Sequence, residues 1–144
     1  MDPSPSQHVT VATIAEILQD VKKVGVRPAQ LGLCLGCHSL FQLRCVREHA
    51  GGSSDLDRLA FGLEAVLKEA LDALGDGPYG EAARLLFGAV TDSRGRPLKR
   101  RRELATDKLG VMVATFREHY EDDVVLDVAA EVYRIEFLGP PRAA

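Results

Sequence analysis

The chain has 144 residues, 46 % hydrophobic and 27 % charged, enough to bury a real core in one domain or two small helical lobes and inconsistent with general disorder. A net charge of −3 and a pI near 5.8 exclude a protein that blankets nucleic acid or an anionic membrane. No apolar run approaches the ~20 residues that span a bilayer, and MDPSPSQHV has no secretory pattern, so the expectation is a cytoplasmic chain with three reduced cysteines and no disulfide framework.

In chain order, Pro3 and Pro5 mark residues 1–9 as a loose tail. Thr13-x-x-Glu16 is a capping-box pattern that predicts a helix start. Ile14, Ile17, Leu18 and Val21 then share one face, and Gly25 closes the helix. Pro28 opens an apolar segment through Leu31, Leu33, Leu35, Leu40, Phe41 and Val46, which ends before Gly51-Gly52-Ser53-Ser54. Ser54 or Asp55 caps a third helix to about Leu74. Its apolar positions, including Phe61, are too widely spread for a helix that merely lies on a surface, so it is expected to be the central element. Gly77-Pro78 introduces a fourth helix over Glu81 to about Val90, and Pro97 suits the first turn of a fifth. Thr115-x-x-Glu118 is a second capping-box pattern, opening a last helix to about Phe137 that Gly139-Pro140-Pro141 ends. Period-2 alternation is almost absent. The expected fold is all-α: a single-domain orthogonal bundle of about six helices, with N-terminal helices over 10–75, a helix-turn-helix-like part over 78–138, and a tail from 139 to 144.

Charge is segregated near the C-terminal end. Arg94 to Arg117 carries eight basic residues against Glu103 and Asp107, whereas Glu118 to Glu136 carries seven acidic residues against Arg134. Between them, Leu109-Gly110-Val111 reads as a tight turn joining two helices, with Ala105, Leu109, Val111, Phe116 and Tyr120 as their shared core. That is the outline of a helix-turn-helix, whose first helix crosses the phosphate backbone and whose second enters the major groove. Lys99-Arg100-Arg101-Arg102 supplies cationic charge of the kind that neutralises phosphates. The second helix carries Arg117 but also Glu118, Glu121, Asp122 and Asp123 at positions expected to be exposed, and several adjacent carboxylates cannot all read cytosine amino groups. Four consecutive basic residues also rotate around most of a helix circumference and form no single ridge. The pattern therefore favours a charge-segregated αα-hairpin that docks protein. Arg94-Gly95-Arg96-Pro97 matches the core of an AT-hook, but a single copy running into a helix reads better as a polar turn.

Cys34-Leu-Gly-Cys37-His38 spells the C-x-x-C-H of c-type haem attachment, which here is treated as coincidence. Cys34, Cys37, Cys45 and His49 form a zinc-ligand set on paper. In one continuous helix Cys37 and Cys45 would lie about 12 Å apart along the axis, whereas ligands of one zinc lie within about 4 Å of each other. The set thus requires a broken segment, and the apolar run argues for a continuous one with structural cysteines. A redox role would ordinarily want a βαβ context. Signatures of nucleophilic, phosphate-binding or zinc-hydrolase sites are absent from the sequence. His119, among Glu118, Tyr120 and Glu121, reads as a solvated or capping residue.

Ala82-Ala83-Arg84-Leu85-Leu86-Phe87-Gly88, Arg94-Gly95-Arg96-Pro97-Leu98, Arg100-Arg101-Arg102, Leu109-Gly110-Val111, Thr115-Phe116-Arg117 and Tyr120-Glu121 resemble a loosely defined group of actinobacterial helical modules. Those modules are helix-turn-helix-like and occur alone or appended to regulatory and conflict-system proteins. The resemblance covers about the last third of the chain and implies no characterised activity; Val111 to Ala114 is more apolar than the polar turn it would imply. The expected function is that of a non-catalytic, cofactor-free regulatory or adaptor module. It would dock a protein partner, possibly a second copy of itself, through Arg94, Arg96, Lys99, Arg100, Arg101, Arg102 and Arg117. The alternatives are a helix-turn-helix DNA-binding regulator, and a zinc- or redox-responsive switch at Cys34 to His49.

Overall fold

The computed structural model describes residues 9–138. The predicted tails, Val9 excepted, and the Gly139-Pro140-Pro141 terminator lie outside the described residues. The described chain is all-helical, with eight α-helices and one 3₁₀ helix: α1 (Val11–Val24), α2 (Pro28–Leu33), the 3₁₀ helix (Leu35–Gln42), α3 (Arg44–His49), α4 (Leu56–Asp72), α5 (Pro78–Leu86), α6 (Leu98–Leu109), α7 (Val113–His119) and α8 (Glu121–Leu138). There are more elements than the six expected because two segments that read as continuous are broken. Among the described residues no helix is long and apolar enough to cross a membrane.

The first helix is capped three residues before the predicted position. Thr10 is the N-cap: its hydroxyl accepts from the Thr13 N–H, and the Thr13 hydroxyl accepts in return from the Thr10 N–H. Threonine at the third helical position thus plays the part expected of Glu16. The inward face of Ile14, Leu18 and Val21 is as predicted. Asp55 caps α4 as expected, accepting from the Asp57 N–H, and Pro78 opens α5. α4 packs against α2, α3, α5, α8 and the 3₁₀ helix, which puts it at the centre of the fold. Its Phe61, counted in the wide apolar surface predicted from sequence, is nonetheless exposed. Where α4 meets α3, a Cβ on Gly62 would stand 2.5 Å from the Val46 carbonyl oxygen, so the close approach of the two helices needs glycine.

The segment 28–50 forms three elements, not one. Leu43, in extended conformation, separates the 3₁₀ helix from α3, and the Glu136 carboxylate of α8 accepts from the Arg44 and Cys45 N–H groups at 2.9 and 2.8 Å. A residue more than ninety positions away therefore satisfies orphan donors at the start of α3. The last helix is also divided. Gly110 ends α6 in the left-handed conformation, its N–H and that of Val111 both donating to the Thr106 carbonyl. α7 then starts at Val113 with Met112 as N-cap, so Thr115 is an exposed residue inside the helix and not its cap. Tyr120 (φ −122°, ψ −37°) breaks the chain before α8. Phe116 and Glu121 are both buried, yet in a continuous helix they would point about 140° apart; the break lets both face inward. One hydrophobic cluster draws on every helix, from Ile14 in α1 to Ile135 in α8.

Candidate functional site

The basic run at the start of α6 is divided by helical rotation into an outer and an inner half. Arg96, Lys99 and Arg100 are exposed. Arg100 has only a loose partner in Glu103 at 3.5 Å. Arg94, also exposed, reaches Glu64 of α4 at 3.3 Å, a carboxylate it shares with Lys68 at 3.6 Å. Arg27, from the turn before α2, joins this surface: a Cβ on Gly95 would lie 3.2 Å from its Nη1. Arg117 is exposed on α7.

Arg101 and Arg102 depart from the expected docking set. Arg101 is 1 % exposed. It lies four residues before Ala105, on the buried face of α6, and its guanidinium enters a cage of backbone carbonyls. Nη1 donates to Lys22 O at 2.7 Å and to Leu86 O, Nη2 to Lys23 O at 3.0 Å, and Nε to Arg96 O at 2.9 Å. Three of these acceptors belong to the last turns of α1 and α5, where helical carbonyls lack intrahelical partners and the helix dipole is negative. A single arginine therefore caps two helices and ties them to α6. Burial, with a lesser contribution from Arg102, lowers its pKa to about 10, so it is charged at neutral pH. A planar fork with five fixed donors suits such a cage; an ammonium does not.

Arg102 turns to α8. Its Nε and Nη2 grip the two oxygens of Glu121 at 2.7 and 2.9 Å, and Lys22 of α1 reaches the same carboxylate at 2.7 Å. Glu121, expected at an exposed position, is buried. Burial works against its charge, but the hydrogen bonds from Arg102 and Lys22 prevail and hold its pKa below the ordinary carboxylate value. Arg102 is correspondingly held above its own, chiefly by the bond to Glu121. The one carboxylate joins α1, α6 and α8. Sequence reasoning missed both Lys22 and Glu121, although a signal existed: Glu121 falls in register with the buried Val124, Val125 and Val128.

The cysteine-histidine set is dispersed. Cys34 and Cys37 are joined as a disulfide, which overturns the expectation of three reduced cysteines. In a 3₁₀ turn residues i and i+3 eclipse one another, and the 5.3 Å Cα separation lies within disulfide reach. Cys45 is free and buried; burial, then the hydrogen bond and charge of Glu136, raise its thiol to about 12. His49 is exposed at the end of α3. The segment is broken as a zinc site would need, yet among the described residues no three potential ligands gather around one point.

His119 lines an open groove of about 420 Å³ with Tyr79, Tyr120, Asp123, Leu126 and Asp127. There the Tyr79 hydroxyl donates to Asp127 at 2.5 Å, and burial followed by that bond raises the Tyr79 pKa.

No family model, no curated protein and no solved structure matches this chain.

Proposed function

We propose that the chain is a non-catalytic regulatory or adaptor module that docks an acidic protein surface through Arg94, Arg96, Lys99 and Arg100, with Arg27 beside them and Arg117 as the outlying member. The observation that supports this most is the division of the basic run. Arg101 and Arg102 anchor α6 from within, so Lys99 and Arg100 project from a helix whose position is fixed, and a preorganised charged surface loses little entropy on binding. Self-association is one form of the proposal, since Glu118, Asp122 and Asp123 are exposed on the same chain. The alternative reading, a helix-turn-helix DNA-binding regulator, would use α6 and α7, which follow one another through Gly110. Its second helix, however, has only seven residues and presents exposed Met112 and Val113 at its start, where a DNA-reading helix offers polar side chains to base edges.

The test is charge reversal at Arg96, Lys99 and Arg100 to Glu, with the tagged full chain purified from its own cells. The proposal expects one stoichiometric protein partner, or a second copy, that is lost in the variant and weakens as salt rises. A shift of duplex fragments at physiological salt, abolished by the same variant, would replace docking with DNA regulation. Partner retention by the charge-reversed protein would remove the basic face from the account.

A further inference from the structure

The disulfide is not symmetric in its surroundings. Cys37 is fully buried, within the core beside Leu40 and Phe41, whereas Cys34 retains solvent access. Cys34 ends α2 and is the N-cap of the 3₁₀ helix. It stands between Leu33 and Leu35, 78 % and 82 % exposed, so the accessible half of the pair has an apolar rim. An incoming thiol can reach only Cys34. Cys45 is buried with its thiol held protonated, which leaves it unsuited to compete in the exchange.

The pair also closes the first turn of an unusual element. An eight-residue 3₁₀ helix is long, because its hydrogen-bond geometry is poorer than that of an α-helix and runs beyond three or four residues are uncommon. The disulfide joins the N-cap to the third residue of this helix, across the turn in which the Cys37 N–H donates to the Cys34 carbonyl. His38 secures the next position, its Nε2 3.0 Å from the Gly32 carbonyl and its ring stacked on Phe41. The side chains of Arg101, Arg102 and Lys108, which link α6 to α1, α5 and α8, do not involve this segment.

We propose that Cys34–Cys37 is a reversible thiol–disulfide switch, opened by attack at Cys34, that releases the segment Leu35–Gln42 while the rest of the fold stands. A thiolate from a small thiol or a protein dithiol attacks Sγ of Cys34. The Cys34–Cys37 bond breaks, and Cys37 leaves as a thiolate that takes up a proton. A second thiol then attacks the mixed disulfide at the sulfur of the first, freeing Cys34. The protein disulfide is thus reduced by two electrons and two protons while two thiols are oxidised to one disulfide; the reverse reaction restores the clamp. The apolar rim of Leu33 and Leu35 favours the protein dithiol over the small hydrophilic thiol as the faster partner.

The experiment equilibrates the intact wild-type chain in a series of reduced and oxidised glutathione mixtures, with and without a thioredoxin-type protein dithiol. Samples are pulsed with an alkylating reagent under native conditions and peptide-mapped by mass. The expected result is a two-electron transition in which Cys34 and Cys37 gain label together while Cys45 stays unlabelled, reached at least tenfold faster with the protein dithiol. Hydrogen exchange of the two end states is expected to differ over 35–42 and to agree in α4, α6 and α8. Cys34→Ser, which cannot form the clamp, is expected to leave Cys37 open to label in every mixture while Cys45 stays unlabelled. Labelling of both cysteines in every mixture would overturn the proposal, since the pair would then not form. Labelling of Cys45 in parallel would also overturn it, because reduction would then require unfolding. Identical exchange of the two end states would leave a disulfide without a switch, and faster reaction with glutathione would reject the protein dithiol as partner.

Discussion

Replacing Arg101 with Met separates the two halves of the basic run by their energetics. Methionine fills much of the same volume but removes four hydrogen bonds, to the carbonyls of Lys22, Lys23, Leu86 and Arg96. A buried polar group left without its partner costs about 1–3 kcal/mol. A carbonyl is at the low end of that range because it tolerates partial satisfaction better than an N–H, and water can enter beside the exposed Arg96. Removing a guanidinium also relieves the desolvation of a buried charge, an opposing contribution of a few kcal/mol. The balance is a loss of about 2 kcal/mol, still a sizeable share of the roughly 5–15 kcal/mol that a domain of this size possesses. Arg100→Met, one residue earlier and exposed, is expected to change stability by no more than about 0.5 kcal/mol. Urea unfolding followed by circular dichroism measures both, with equal m-values required for the comparison. Arg101→Lys should recover less than half of the loss, because an ammonium cannot span four acceptors on separate helices. If Arg101→Met and Arg100→Met unfold within 1 kcal/mol of each other, the carbonyl cage does not fasten α6 and the reasoning is refuted.

Other consequences follow from the same contacts. Glu121 has its folded-state pKa depressed, so its contribution to stability is fully present above the ordinary carboxylate value near 4.5 and is lost as pH falls through the folded-state value. Glu121→Gln is therefore expected to cost about 3 kcal/mol at pH 7, with the gap to wild type closing below pH 4.5 in urea titrations; a gap independent of pH would deny the charged cluster its role. Glu136→Ala removes the external cap of α3. It should cost about 1–2 kcal/mol and speed hydrogen exchange at Arg44 and Cys45 first; uniform acceleration elsewhere would argue against local capping. Gly62→Ala pushes a Cβ into the Val46 carbonyl and should lower stability in urea unfolding by about 1–3 kcal/mol through overpacking, whereas Phe61→Ser, on the outer face of the same helix, should lower it by no more than about 0.5 kcal/mol.

Features governed by local chemistry were legible in the sequence. The all-α class, the Asp55 cap, Pro78 at the start of α5 and Gly110 at the end of α6 all depend on backbone donors and φ preferences within a few residues. Breaks imposed from a distance were not. Leu43 and Tyr120 carry no strong local stop signal; the first break is set by Glu136 of α8 and the second by the inward pull of Lys22 and Arg102 on Glu121. The basic run misled because charge was read as exposure. Periodicity held the correction: Arg101 sits in register with Ala105, Glu121 with Val124 and Val125, and Glu136 with Val132. A charged residue on the apolar stripe of a helix is buried, and a buried charge needs partners. The two capping-box patterns failed for a related reason, since Thr10-x-x-Thr13 and the extended Met112 provide earlier helix starts.

The docking proposal rests on Lys99 lying at the partner interface while Lys22, Arg101 and Arg102 stay within the fold. Zero-length carbodiimide cross-linking of the complex purified from its own cells, followed by peptide mapping, tests this directly. Lys99 should appear bonded to a carboxylate of the partner or of a second copy, with yield falling as salt rises, and Lys22 should appear in no intermolecular product. Cross-links confined to Lys68 and Lys108, with Lys99 unmodified by the partner, would contradict it.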